Sequence, residues 1–304
     1  MPRRACLILV AAMAACALAV AVRGGPRTAD TAAAAASPCG SVSKPPAYTH
    51  IVVIAFENHS YASVLGSSAP ASYFKTIAAQ CGSATAFRAA SFPHSLPNYL
   101  AATGGTTGSI TGDCLPKGAC RLNTSSIFQQ LGSTRWAVWN ESMPAACDRA
   151  NASPYVVRHN PAVYYTALPA ADCQGNDVAM PATPTIRRAF TWITPNLNDD
   201  LTKGTPATAG AWLQNLLTGP HGLLVSAPYT SGNTAVFVWF DSAAQTDSAT
   251  TPVPLVVISP STKARTVSTS LTDYSLLRTW EDLLGLPCLG SACSAKGAET
   301  PFNL

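Results

Sequence analysis

The sequence predicts an α/β fold, a three-layer sandwich in which helices cover both faces of a mostly parallel central sheet. Three observations carry this prediction: β-branched apolar runs recur along the chain, amphipathic stretches separate them, and acids or amides stand where several runs end. Continuous apolar runs are typical of strands buried on both faces of a parallel sheet. Their alternation with helices predicts right-handed crossovers and a ligand site at the carboxyl ends of the strands.

The amino-terminal residues have the order of a secretory signal. Arg3 and Arg4 precede an apolar run over residues 5–22, and Arg23 follows it. We therefore predict a signal peptide and disordered leader over residues 1–38, one folded domain over residues 39–304, and a secreted product. Because the run of about 18 residues approaches the length of a bilayer span, an uncleaved membrane anchor is the alternative.

Cysteine usage agrees with export. Cys6 and Cys16 fall in the predicted signal, which leaves eight of the ten cysteines. An even number in an exported chain predicts disulfides, and a zinc–cysteine site is disfavoured because the chain has no Cys-x-x-Cys spacing. Short separations favour four pairs: Cys39 with Cys81, Cys114 with Cys120, Cys147 with Cys173, and Cys288 with Cys293.

The charge of the predicted domain is balanced. Four of the 19 Lys and Arg residues, but only one of the 15 Asp and Glu residues, precede residue 39. The net charge of +4 therefore belongs almost entirely to the leader. Nucleic-acid binding needs a concentrated basic surface, so we expect no nucleic-acid partner.

Periodicity places five strands and four helices along the chain. The predicted strands are His50–Phe56, residues 136–139, Phe190–Thr194, residues 235–240 and residues 255–259, and the predicted helices are residues 73–79, 98–103, 209–217 and 274–284.

Two polar segments come early in the chain. Glu57 and Asn58 follow the first predicted strand, where they are either metal ligands or part of a solvated turn. Ser95 precedes Pro97 at a predicted helix start, where free backbone N–H groups and the helix dipole favour a nucleophile and its phosphate. The alternative is that Ser95 simply caps the helix, since serine is a common N-cap residue.

Further acids follow two later strands. Asp200 comes after the strand that ends at Thr194, and Asp241 comes directly after residues 235–240. Acids that converge on one sheet edge repel one another and are best explained by a bound cation. His159 is a candidate phosphate contact, or alternatively an ordinary loop residue beside Pro161.

These segments together resemble the phosphoesterase family of bacterial phospholipases C and acid phosphatases, within the alkaline phosphatase superfamily. The likeness is greatest to the small secreted acid phosphatases of actinobacteria and runs from about His50 to Leu289. Its motifs are Glu57-Asn58-x-Ser60, Ser95 to Tyr99, Pro195 to Asp200, Gly210 to Leu213, Asp241, and Tyr274 to Thr279 leading to Gly285-Leu286-Pro287. The resemblance implies an alkaline-phosphatase-like fold.

The resemblance also implies roles for individual residues. Ser95 corresponds to the attacking hydroxyl, Glu57 and Asn58 to residues that bind metal and phosphate, and Asp200 and Asp241 to metal ligands. Several family positions differ: Thr202 and Asp273 stand where histidine is usual, Ser242 stands where glutamate is usual, and Pro93-His94 inverts the usual His-Pro.

These substitutions bear on the cation and on Asp273. They leave oxygen ligands, so we expect Mg²⁺, Mn²⁺ or Ca²⁺ rather than Zn²⁺. Asp273 is either a fourth metal ligand or the cap of the helix that begins near Tyr274.

The sequence therefore predicts a monomeric secreted enzyme of the acid-phosphatase type, without stable membrane insertion once the signal is cleaved. Its expected substrate is a small phosphorylated compound or a phospholipid headgroup. Two alternatives are a phospholipase C-like phosphodiesterase and an inactive binding protein of the same fold, the latter suggested by the substituted histidines.

Overall fold

The computed structural model describes residues 37–304, which form a mixed α/β fold around an eight-stranded sheet. The predicted signal peptide and leader lie outside the described residues, apart from Ser37 and Pro38. Within residues 37–304, no helix has both the length and the apolar character that a membrane crossing requires.

Ten strands and nine α-helices form the part of the chain that the structure describes. The strands are β1 (His50–Phe56), β2 (Gly82–Ala84), β3 (Phe87–Arg88), β4 (Trp136–Asn140), β5 (Asp177–Ala179), β6 (Phe190–Thr194), β7 (Thr234–Phe240), β8 (Leu255–Ile258), β9 (Arg265–Val267) and β10 (Leu271–Thr272). The helices are α1 (Tyr61–Val64), α2 (Tyr73–Gln80), α3 (Ser95–Gly104), α4 (Ile127–Gln130), α5 (Ala170–Asn176), α6 (Pro206–Thr218), α7 (Ala227–Thr230), α8 (Asp273–Leu284) and α9 (Glu299–Phe302).

The main sheet has the order β5-β4-β6-β1-β7-β8-β2-β9. Its neighbouring strands are parallel except at β8, which runs antiparallel to both β7 and β2. Strands β3 and β10 form a separate parallel pair. The predicted fold class, with its mostly parallel central sheet, is confirmed.

Aromatic contacts identify the helices on one face of the sheet. Phe56 of β1 and Phe240 of β7 stack with their ring centroids 5.4 Å apart. Phe74 of α2 meets Phe56 at 4.8 Å, and Trp212 of α6 meets it at 6.0 Å. Helices α2 and α6 therefore cover this face.

The opposite face carries a second aromatic cluster. Trp239 neighbours Phe240 in β7, so its side chain points to the other side of the sheet. Its ring lies 5.0 Å from Tyr99 of α3, and Trp280 of α8 lies 5.7 Å from Phe237 on the same face. Helices α3 and α8 cover this side, which completes the three layers.

Each predicted strand and helix corresponds to an observed element, with shifts at the boundaries. The largest shifts concern α3, which begins at Ser95 rather than at residue 98, and α6, which begins at Pro206 rather than at residue 209. Strands β2, β3, β5, β9 and β10 were not predicted, because each has only two or three residues and is too short to show a period.

All four predicted disulfide pairs are confirmed. They join Cys39 to Cys81, Cys114 to Cys120, Cys147 to Cys173, and Cys288 to Cys293. Persistent disulfides of this number indicate an oxidising compartment.

The disulfides differ in the length of chain that they close, which predicts unequal effects on stability. Removing the bond between Cys39 and Cys81, which are 42 residues apart, by double substitution with alanine should lower the free energy of unfolding by about 4 kcal/mol. The same change at Cys288 and Cys293, five residues apart, should cost about 2 kcal/mol. Denaturant titration of the two variants measures both losses, and equal losses would contradict the chain-entropy reasoning.

Candidate active site

Three acids meet at the carboxyl edge of the sheet because they follow strands that are neighbours in it. Glu57 comes directly after β1, Asp241 comes directly after β7, and Asp200 lies in the loop after β6. The Glu57 N–H donates to the Asp200 carbonyl at 3.0 Å, and the Asp241 N–H donates to the Phe56 carbonyl at 3.1 Å. All three side chains are buried.

Ser95 lies at the start of α3 and reaches this acidic cluster. Its hydroxyl Oγ donates to Oε2 of Glu57 at 2.7 Å, and only 3% of the residue is exposed. His94, not Ser95, occupies the N-cap position, so the capping alternative is wrong. The backbone N–H of Leu96 donates to Oδ1 of Asp113 at 3.0 Å, so Asp113 takes one of the free donors at the helix start.

His159 lies between two of the acids. Its Nε2 is 3.1 Å from Oε2 of Glu57, and its Nδ1 is 3.4 Å from Oδ2 of Asp200. Burial lowers the pKa of His159, but the charge of Glu57 and the contacts with Asp200 and Glu57 raise this pKa to about 9. The predicted phosphate contact is therefore a buried cation whose two nitrogens face carboxylates.

Tyr99 is a site residue to which sequence reasoning assigned no role. Its hydroxyl donates to Oε1 of Glu57, and its ring stacks on His159 with centroids 5.6 Å apart and planes 4° from parallel. Tyr99 stands four residues after Ser95, so both side chains lie on the same face of α3. This helical spacing within the Ser95–Tyr99 motif is the signal that could have identified it.

The charges around Glu57 decide the protonation of the cluster. Burial raises the pKa of Glu57, but the charge of His159 and hydrogen bonds from its neighbours outweigh burial, so this pKa is lowered overall. Burial and the negative charge of Glu57 raise the pKa of Asp241 well above its ordinary value. Ionised Glu57 therefore lies between protonated His159 and a carboxyl group that favours its neutral form.

Asn58, after β1, is hydrogen-bonded to Asp241, after the neighbouring strand β7. Asn58 has a left-handed backbone with φ of 53°, a conformation that asparagine tolerates better than most residues. Its N–H donates to Oδ1 of Asp241 at 2.9 Å, and its side-chain carbonyl accepts a hydrogen bond from Ser242 Oγ at 3.3 Å. The amide of Asn58 is thereby held beside Asp241.

Both carboxylate oxygens of Asp273 are engaged by N–H donors outside the acidic cluster, an arrangement that disfavours the expected role as a fourth metal ligand. Its carboxylate accepts hydrogen bonds from the Trp239 indole N–H and the Ala90 backbone N–H, both at 2.7 Å. It is also not a helix cap, because Thr272 holds that position before α8. Asp273 instead ties β7 and the segment before α3 to α8.

The donor chemistry of the cluster fits a hard divalent cation. Oδ2 of Asp241 is buried without a hydrogen-bond partner, whereas Oδ2 of Asp200 faces Nδ1 of His159 at 3.4 Å. Neither carboxylate pairs with Lys or Arg within residues 37–304. Carboxylate oxygens suit Mg²⁺, Mn²⁺ or Ca²⁺. Among the described residues, no three donor atoms of the cluster lie within 4.8 Å of one another. The ring of His159 separates Glu57 from Asp200, which leaves Glu57 and Asp241 as the pair best placed to hold a cation.

A second group of ligand-type residues has a structural role. Side-chain donors of Cys147, Cys173 and Asp177 lie within 4.8 Å of one another. The cysteines form a disulfide and offer no thiolate, so we assign this group no cation. Asp177 accepts hydrogen bonds of 2.8 Å from the amides of Asn140 and Asn160. Because Asn160 follows His159 in the chain, this buried network helps to hold the turn that carries His159.

A small cavity adjoins the site on the side of Arg158. It measures about 190 Å³ and is lined by Asp113, Asn151, Val157 and Arg158, among others. The Nε of Arg158 lies 3.5 Å from Oδ2 of Asp113, and both side chains are about one-third exposed. Sequence reasoning missed this pair, since nothing in the spacing of residues 113 and 158 indicates that they meet.

Comparison with known proteins finds a curated relative that is named as a phosphatase. No family model matches the chain. Among curated proteins it is similar to the phosphatidylinositol-3-phosphatase of Mycobacterium tuberculosis, with 27% identity over 258 residues that cover 82% of this chain and 81% of that protein.

Solved structures share the fold at low sequence identity. Ps i-CgsB in complex with k-i-k-neocarrahexaose matches with a TM-score of 0.52 and 12% identity over 82% of this chain and 74% of that chain. The protein BT33336S-sulf, from glycosaminoglycan metabolism in Bacteroides thetaiotaomicron, matches with a TM-score of 0.51 and 10% identity over 84% and 82%. At these identities the likeness concerns the fold alone.

The contacts predict which carboxylates affect cation binding. Replacing Asp241 by asparagine should weaken Mn²⁺ binding at least tenfold, because it removes the carboxylate oxygen Oδ2, which has no hydrogen-bond partner in the cluster and is free to bind a cation. Asp273→Asn should leave Mn²⁺ affinity unchanged and lower only the free energy of unfolding, by about 1–3 kcal/mol, because one of its two N–H donors loses its acceptor. Calorimetric titration with Mn²⁺ and thermal melts test both expectations, and a strong loss of affinity in Asp273→Asn would return Asp273 to the cluster.

Proposed function

We propose that this chain is a secreted hydrolase that cleaves phosphate monoesters with Ser95 as its nucleophile and a divalent cation as cofactor. The observation that carries the proposal is the 2.7 Å hydrogen bond from the Ser95 hydroxyl to buried Glu57, at a helix start beside further acids. A hydroxyl held by a carboxylate at a helix amino terminus is the arrangement of an activated nucleophile.

The curated relative supports this class of reaction. It is named a phosphatase and aligns over most of both chains. The motifs of the acid phosphatase and phospholipase C family fall on Glu57, Asn58, Ser95, Asp200 and Asp241, five residues that meet at one end of the sheet. Hydrolysis of phosphate or sulfate esters is thus the broad class of reaction, and phosphate monoesters are the substrates that we propose within it.

The chemical steps follow from the contacts of Ser95. Its oxygen attacks phosphorus in line with the leaving oxygen, and its proton passes to Oε2 of Glu57, the carboxylate oxygen that already accepts it. The ester bond breaks, the leaving oxygen takes a proton from solvent, and phosphate remains bonded to Ser95. Water then attacks this phosphoserine and releases inorganic phosphate. The proton held by Glu57 returns to the Ser95 oxygen, and the proton lost by the attacking water goes to solvent.

Charge neutralisation at the phosphoryl group draws on residues around the cluster. Asn58 presents its amide beside Asp241, and Arg158 adjoins the site through the cavity that it lines with Asp113. A cation held by Glu57 and Asp241, with Asp200 nearby, would lower the pKa of the Ser95 hydroxyl and balance the charge of the phosphoryl oxygens. His159 keeps Glu57 ionised and in position.

The burial of Ser95 favours a monoester over a diester. Only 3% of the residue is exposed, so little of Ser95 faces solvent. A terminal phosphoryl group carries a single organic substituent, whereas a diester must bring a second one close to this buried hydroxyl. A free monoester or a phosphorylated headgroup fits this restriction.

Two alternative functions are compatible with the same fold. A phospholipase C-like phosphodiesterase would use Ser95 to cleave a phosphodiester instead of a monoester. An inactive binding protein would retain the fold and the acids without turnover, a reading motivated by Thr202 and Asp273 at positions where the family has histidine.

If Ser95 is the nucleophile, removal of its hydroxyl oxygen should cause loss of turnover. Ser95→Ala should lower kcat for 4-nitrophenyl phosphate at least a thousandfold, because the covalent step is lost. Ser133→Ala, an exposed serine near the opposite edge of the sheet, is the matched control and should retain full activity. Unchanged turnover in Ser95→Ala would refute the assignment, and wild-type binding without turnover across a divalent-cation panel would select the binding protein.

The burial of Ser95 predicts a preference among ester types. Hydrolysis of 4-nitrophenyl phosphate should exceed that of bis(4-nitrophenyl) phosphate by at least tenfold in kcat/KM, and 4-nitrophenyl sulfate should be a poorer substrate than the phosphate. Release of nitrophenol by the wild-type chain with Mg²⁺, Mn²⁺ or Ca²⁺ measures all three rates. Faster cleavage of the diester would favour the phosphodiesterase alternative.

A further inference from the structure

A second candidate site lies at the amino-terminal edge of the sheet. A cavity of about 390 Å³ is lined by three arginines, Arg135, Arg187 and Arg188, and by His50, with Leu283 and Leu284 at its side. His50 begins β1, whereas Glu57 follows the end of the same seven-residue strand. At about 3.3 Å per residue the two sites are roughly 20 Å apart, so they are separate.

The positive charge of this cavity is not balanced by acidic residues around it. No acidic residue lines it. Within residues 37–304, none of the three arginines has a carboxylate within 4.0 Å, since the ion pairs there involve Arg158, His159 and Arg278. In a domain of nearly balanced charge, three unpaired guanidinium groups at one cavity are an uneven distribution.

Hydrogen bonds hold parts of the cavity wall in place. Arg188 donates from Nη1 to the carbonyl oxygen of Thr134, and the Nδ1–H of His50 donates to the carbonyl oxygen of Arg188 at 2.8 Å. These bonds link the residues before β6 to the residues before β4 and to the start of β1. Two of the basic residues are therefore positioned before any ligand arrives, which lowers the entropy cost of binding.

The helix beside the cavity does not neutralise this charge. Helix α8 ends at Leu284, with Gly285 as its left-handed C-cap. The carbonyl end of a helix carries about half a negative charge. Three guanidinium groups exceed that amount several-fold, so an excess of positive charge remains.

We infer that this cavity binds a small polyanion that carries two or more phosphate or sulfate groups on a ring-sized scaffold. Guanidinium groups present paired N–H donors that match the oxygens of such groups. The volume lies within the usual range for small-ligand sites. Leu283 and Leu284 offer an apolar surface for the carbon ring between the charged groups.

This inference does not depend on the proposed hydrolytic function. The cavity contains no residue of the acidic cluster and faces the opposite end of the sheet, so binding there involves no bond cleavage. A variant that loses hydrolysis should still bind the polyanion, and a variant that loses polyanion binding should still hydrolyse esters. The two proposals can therefore be refuted independently.

Calorimetric titration of the full chain tests the inference with two probes. Inositol hexakisphosphate represents phosphate groups, and sucrose octasulfate represents sulfate groups. Both are titrated into Ser95→Ala protein, in which turnover does not consume the ligand. The preferred probe distinguishes a phosphorylated from a sulfated source of the ligand.

Substitutions assign the binding to the cavity. In the same background, the double variant Arg135→Gln with Arg187→Gln should bind the preferred probe at least tenfold more weakly. Arg149→Gln with Arg265→Gln removes the same charge from exposed positions outside the cavity and should bind normally. Arg188 is left unchanged in these variants because it anchors Thr134. Both pairs, placed in the wild-type chain, should hydrolyse 4-nitrophenyl phosphate at the wild-type rate.

Three results would overturn the inference. One is the absence of saturable binding of either probe up to about 1 mM. A dissociation constant of that size corresponds to a binding free energy of only about −4 kcal/mol. Another is equal weakening in the control double variant, which would mean non-specific attraction. The third is undiminished affinity in the cavity variant, which would place the polyanion at the acidic cluster or another surface.

Discussion

The buried carboxylate of Glu57 is the constraint around which the candidate active site is built. Removing an ionised carboxylate from water costs several kcal/mol unless charged and hydrogen-bonding partners replace the solvent. Here the partners are the hydroxyl of Ser95, the hydroxyl of Tyr99 and the imidazole of His159. The groups that make the burial of Glu57 tolerable are the same groups that place a nucleophile beside it.

The sheet and a separate buried network position these partners. The neighbouring order β6-β1-β7 brings Asp200, Glu57 and Asp241 to one edge, while α3 carries Ser95 and Tyr99 on one helical face. His159 comes from a short 3₁₀ turn, Val157–His159, which has little regular structure of its own. Its position is supported by Asn160, which bonds to Asp177 behind the turn. The rigidity of the site thus comes from two sources that are distant in the chain.

Sequence patterns predicted those parts of the molecule that follow from local periodicity. Long apolar runs identified the central strands, and two of the acids at their ends, Glu57 and Asp241, lie beside Ser95, because parallel strands share an edge. The contacts of His159 and Asp273 were not predictable in the same way. His159 reaches the acids through a loop path that no spacing rule describes, and Asp273 is satisfied by the Trp239 indole and a backbone N–H. Tyr99 was visible in the motif, but its role depends on the direction of its side chain.

The disulfide connectivity has a consequence for how the chain matures. Among the eight cysteines from Cys39 onward, each is bonded to the cysteine that stands next to it in that series. The four loops that the disulfides close therefore neither overlap nor enclose one another. Eight cysteines allow 105 pairings in principle. A polypeptide that enters an oxidising compartment amino end first presents every cysteine with its correct partner as the next thiol to arrive. Sequential oxidation during translocation would therefore produce the native set directly, with little demand on enzymes that reshuffle mispaired thiols.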